Sequence, residues 1–158
     1  MFYYAEALSI RTAEEWPLER AVTLLKPIHY EYSIGSQGRQ HSYYESVAPL
    51  FTEYEDVLLR KAAAAKTPEQ TDQLLVKVKE TIEVSRAAEL QDYFQDDCVA
   101  TVASHRGAGM LAPGTAVVYP IAFPDRLELL LETSTGLKQV KVPVAGDKLT
   151  KEIRSFRR

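Results

Sequence analysis

The sequence predicts an α+β chain: antiparallel helical hairpins, then a three-stranded antiparallel β-meander, then one C-terminal helix. Three observations carry that expectation. Apolar residues recur at helical steps of three and four up to about residue 95. Glycine and proline gather at Gly107, Gly109, Pro113 and Gly114, where a flexible connection is expected. Beyond them the apolar residues come in short runs bounded by turn residues, as strands do.

Each element follows from its own residues. Leu18, Ala21, Val22, Leu25, Ile28 and Tyr32 share one helical stripe, which predicts a helix over about 17–33 with Pro27 as a kink. Tyr3, Ala7 and Ile10 suggest the remnant of an earlier helix, and residues 35–38 read as a loop. Ser42 and Glu45 have the spacing of a capping box, in which each side chain satisfies a backbone donor near the other. Tyr43, Val47, Leu50, Phe51, Tyr54, Val57 and Leu58 then form the stripe of a helix over about 43–63, which Pro49 is expected to bend by removing a backbone hydrogen bond. Thr67, Pro68 and Gln70 combine a cap, a proline where its missing donor costs nothing, and a glutamine at the third helical position. The stripe Leu74, Leu75, Val78, Ile82, Ala87, Leu90 and Phe94 extends that helix over about 68–95. The short link between the two helices implies an antiparallel hairpin.

The strands are expected at Thr115–Phe123, Leu127–Glu132 and around Val140, Val142 and Val144. The first is apolar at every second and every intervening position, as a strand covered on both faces would be, while Pro120 argues for an edge position or a bulge. Residues 124–126 and Thr135-Gly136 supply the turns. Asp147 is placed to cap a final helix on which Leu149, Ile153 and Phe156 share a face. Three strands and one helix make a small layer, and that face still needs burying, so the domain reads as interrupted at Arg158.

Composition narrows the classes. The chain has 158 residues, 46% apolar and 26% charged, with a net charge of −3, a balance that favours a globular fold over disorder and gives no electrostatic case for nucleic acid. No apolar run reaches the roughly 18 residues of a membrane span, and no secretory signal is read at the N-terminus. A lone cysteine, Cys98, fits a reducing, cytoplasmic setting.

Catalytic and metal constellations are not apparent. His29, His41 and His105 belong to different local contexts without metal-ligand spacing, so no metal is expected. Gly107 and Gly109 lack the strand and the Lys-Ser/Thr pair of a phosphate loop, so no cofactor is expected either. Cys98 follows Asp96 and Asp97, which would raise rather than lower a thiol pKa; it reads as a structural thiol at a helix end rather than a nucleophile served by His105. Glu53 with Glu55, and Asp96 with Asp97, read as solvated faces. Tyr3, Tyr4, Tyr30 and Tyr32 either pack in the core or line a groove for a peptide.

The junction carries a family resemblance. The run from Ala87 to Cys98, followed by Thr115–Ile121, Pro124–Leu131 and Val142-Pro143-Val144, resembles the opening of a CHAT domain, a caspase-like module found downstream of tetratricopeptide repeats, mostly in bacterial proteins. The resemblance spans roughly residues 42–158. It implies a tetratricopeptide-like helical region over 1–97, a linker over 98–114, and the leading meander and helix of a caspase-like domain over 115–158. No catalytic residue carries over, because the family's histidine-cysteine dyad lies on later strands. His105 is followed by Arg106 rather than by the glycine usual after that histidine. The expected function is therefore a non-catalytic scaffold that positions or regulates a protease half. Its partners would be proteins: the remainder of the domain, a regulatory protein or peptide, or a second copy through the exposed β edge. Leu149, Ile153 and Phe156 are the candidate interface with the missing part or a dimer mate. A free-standing tetratricopeptide-like adaptor that binds a peptide is the alternative.

Overall fold

A computed structural model describes residues 17–25, 47–94 and 111–156 of the chain, with the side chains of 91–94 outside that set. The fold is α+β. Helix α1 covers residues 17–25, α2 Ala48–Ala64 and α3 Pro68–Phe94. Strands β1 (Ala116–Ala122), β2 (Leu127–Thr133) and β3 (Gly136–Val142) follow, and α4 spans Gly146–Phe156.

In α1 Leu18, Ala21, Val22 and Leu25, the described part of the predicted stripe, are buried together with Pro17. Its expected continuation through Pro27 to residue 33 lies outside the described residues, as do the capping box at Ser42 and Glu45 and the whole of 95–110. Helix α2 begins later than expected, with Val47 as an N-cap that makes no side-chain hydrogen bond. Pro49 consequently falls within the first turn, where its missing donor is one of the groups that have no intrahelical partner anyway. The predicted bend has no cause there. Leu50, Phe51, Tyr54, Leu58, Leu59 and Ala62 bury one side of α2.

The cap of α3 forms much as its residues suggest. Thr67 Oγ1 accepts the Gln70 amide at 3.3 Å, and Gln70 Oε1 accepts the amide of Lys66, one residue further out than the reciprocal box, at 3.4 Å. Leu75, Val78 and Ile82 are buried as expected, but Ala88 takes the inward place further along, and Leu90 is 45% exposed. Helices α2 and α3 are joined by residues 65–67 and pack against each other. No helix among the described residues is long and apolar enough to cross a membrane.

The sheet is an antiparallel meander in the order β1-β2-β3. Pro120 pairs with Leu129 in an unbroken register, so β1 accommodates proline by being an edge strand, with no bulge. Gly136 opens β3 at φ +125°, a conformation that L side chains rarely adopt. Gly136→Ala meets no neighbouring atom and so isolates backbone strain; it should cost about 1–2 kcal/mol in urea denaturation without changing the m-value.

Register fixes the two faces. Val117, Glu132 and Leu137 form one row; Tyr119, Leu130 and Gln139 the next; Ile121, Glu128 and Lys141 a third. These face the helices, and Tyr119, Ile121 and Leu130 join the same core as Phe51, Leu58, Leu75 and Val78. The opposite face carries Ala116 with Thr133 and Gly136, Val118 with Leu131 and Lys138, Pro120 with Leu129 and Val140, and Ala122 with Leu127 and Val142. None of these is buried, and Val118 is 50% exposed. The expectation that β1 is covered on both sides therefore fails: one face meets the core, and on the other Ala116, Val118, Pro120 and Ala122 are exposed.

Helix α4 leaves the sheet at the end where β1 meets β2. Its first amide, that of Gly146, donates to the Pro124 carbonyl at 3.1 Å. Asp147 lies in the first turn rather than at the cap and accepts the Lys148 amide at 2.7 Å. No residue of this helix is buried.

Candidate functional site

The densest polar arrangement lies where the inner face of the sheet meets α2. Arg126, at the entry to β2, is 3% exposed, and Glu128, two residues on, is 2% exposed. A strand returns alternate side chains to one face, so Arg126 and Glu128 point together into the interior. Arg126 Nε donates to Glu128 Oε1 at 2.7 Å, Nη1 to Asp125 Oδ1 at 3.1 Å, and Nη2 to Asp56 Oδ1 of α2. The second oxygen of Glu128 accepts from Gln139 Nε2 at 3.1 Å, and the same amide reaches the Leu59 carbonyl of α2 at 3.3 Å. The Phe123 ring lies 4.3 Å from the guanidinium carbon. Burial alone pulls the Arg126 pKa down, but hydrogen bonds to Asp56 and Glu128 and the charges of Asp56 and Asp125 outweigh it and hold the group above its ordinary value. The planar fork of arginine suits this task, serving three carboxylates from fixed directions.

A second cluster ties the same face to α3. Lys79 pairs with Glu132, and the Tyr119 hydroxyl donates to Glu132 Oε2 at 3.0 Å and to Glu83 at 3.4 Å. Arg86 stands over the Tyr119 ring, 5.4 Å from its centroid. Burial, and then the hydrogen bond to Glu132, push the phenol pKa upward, so Tyr119 stays a donor and is unsuited to act as a base.

Glu55 corrects another expectation. Instead of lying on a solvated face with Glu53, it is 7% exposed on α2, and burial raises its pKa to about 7 against the opposing pull of Arg86. Its place was open to inference: residue 55 lies four after Phe51 and seven before Ala62, in step with the buried stripe. The Arg126 cluster had a fainter signal. Asp125 and Arg126 resemble ordinary turn residues, and in Leu127–Glu132 the alternation fits either face.

Chemically, these groups are mutually paired donors and acceptors, an arrangement suited to fixing the sheet on the helices. Among the described residues there is no group of three His, Cys, Asp or Glu placed to hold a metal. Tyr3, Tyr4, Tyr30, Tyr32, Cys98 and the three histidines lie outside the described residues. Leu149, Ile153 and Phe156 do share a stripe of α4; Ile153 is 51% and Phe156 94% exposed. A shallow hollow of about 340 Å³ runs beside Lys61, Gln70, Gln73 and Lys77, too open to enclose a ligand. The chain matches no protein-family model, and comparison with curated proteins and with solved structures finds no significant similarity.

Proposed function

We propose that the chain is a non-catalytic interaction scaffold of the tetratricopeptide-CHAT type, acting in the cytoplasm, in which the helices hold a three-stranded frame for a caspase-like protease half. The observation that carries this reading is the way the sheet is held. Its inner face is fixed to α2 and α3 by the Arg126 and Lys79 clusters, while the outer edges of β1 and β3 pair with no strand among the described residues. An unpaired edge backed by a rigid support is a place for further strands to add. The buried ionic groups are occupied with one another, which suits support better than turnover.

Two measurements test it. Purified chain should cleave nothing in a fluorogenic peptide library, and turnover abolished by a thiol-directed inhibitor would overturn the scaffold role. The coding sequence beyond Arg158 should supply a histidine followed by glycine at a strand end and a later cysteine, the pair needed to form and use a thiolate. An unrelated continuation would remove the caspase-like part of the proposal.

A further inference from the structure

Among the described residues nothing buries the apolar outer face of the sheet or the apolar stripe of α4, and Val118, Val140, Ile153 and Phe156 stand exposed on one chain. We infer that they are partners in trans: α4 of one copy lies on the outer sheet face of a second, and the exchange is reciprocal in a two-fold dimer. Strands of seven residues at about 3.3 Å each, spaced about 4.8 Å apart, give a face of about 23 by 14 Å. A helix of 11 residues is about 16 Å long and about 10 Å across, so the face takes one such helix and no more.

The spacing of the side chains agrees. Leu149, Ile153 and Phe156 project along about 10 Å of the helix axis, and successive outer rows of the sheet are about 7 Å apart, so the stripe can fall across neighbouring rows. Lys148, Lys151 and Arg154 lie away from that stripe and stay in water. The outer face has a single charged residue, Lys138 on the edge strand β3, so docking buries no charge at the centre. One helix on one face would bury about 300–400 Å² on each surface, and two reciprocal contacts about 1,200–1,600 Å², which reaches the size of a stable interface. Either contact alone is too small. The Gly146 amide on the Pro124 carbonyl and a Gly146 seat where a Cβ would lie 3.2 Å from the Phe123 carbonyl oxygen anchor the start of α4 at the sheet end. The helix is thereby presented outward.

Sedimentation equilibrium of the full chain at micromolar concentration should give twice the mass of one 17.8 kDa chain. The variants I153E/F156E on the helix and V118K/V140K on the sheet alter exposed residues, so both should keep the parent circular dichroism spectrum. Each should weaken the dimer by about a hundredfold or more. An equimolar mixture of the two should associate again, since the intact helix of one fits the intact sheet of the other and the second contact sets the introduced glutamates against the introduced lysines. A monomeric parent overturns the inference, as does a dimer that survives either variant or a mixture that stays monomeric. Such a failure would leave the scaffold reading standing, because that reading is tested by cleavage and by the coding sequence.

Discussion

Arg126→Ala should lower the unfolding free energy by about 3–5 kcal/mol, the cost typical of leaving one member of a buried ion pair behind. The reason lies with the partners. Glu128 would remain 2% exposed with only the Gln139 amide to satisfy it, while Asp56 would keep Arg60 at 3.0 Å and lose little. Against a total stability of about 5–15 kcal/mol for a domain of this kind, the loss should be plain in a urea titration. Arg126→Lys should recover only a small part, because an ammonium cannot serve three carboxylates from the positions of a guanidinium fork. A double variant, R126L/E128L, removes the stranded charge together with its partner and should regain most of the stability. A loss under about 1 kcal/mol in R126A would mean that the cluster is solvated in solution.

Glu55→Gln should stabilise the protein, and the gain should depend on pH. In the folded state burial lifts the carboxyl pKa to about 7, whereas the unfolded group titrates near its ordinary 4.5. Between these values the native chain holds a proton that the unfolded chain has released, so stability falls as pH rises through the window. Above it the ionised carboxylate is buried and the full penalty, about 3 kcal/mol, is present. The amide keeps the shape without the charge. At about pH 8 the variant should be more stable by about 2–3 kcal/mol, and at about pH 4.5 the two should be nearly equal. Thermal unfolding of both proteins across this range checks it: parallel curves would show that Glu55 is not desolvated.

The parts of the fold that were legible in the sequence are those set by local rules. Thr67, Pro68 and Gln70 marked the start of α3 because capping involves only neighbours, and the stripe of α1 was readable because helical period is a local property. Pro120 pointed to an edge strand or a bulge for the same reason, and the unbroken register selects the edge. What the sequence left open was set by distant partners. Pro49 looked like a helix-bender until Val47 proved to be the cap, and Leu90 had the right period but lies 45% exposed. Glu55 followed the buried stripe yet was read by its charge. Arg126 and Glu128 could be assigned to an interior only by knowing that Asp56 and Gln139 would meet them, which no spacing within residues 124–132 expresses.

The separations involved also bear on how the native state is reached and lost. The helical pair is joined by residues 65–67 and the strands by short turns, so each can form from contacts close along the chain. The links between them span far more: Lys79 to Glu132 crosses 53 positions, Asp56 to Arg126 70, and Leu59 to Gln139 80. Closing such intervals is entropically costly and yields little until both halves exist, which places the clusters late in folding. Interactions formed after the rate-limiting step hardly alter the folding rate and act almost wholly on unfolding. The ionic clasp around Arg126 is thus a kinetic lock: breaking it would shorten the lifetime of the folded chain while leaving the speed of its formation nearly unchanged.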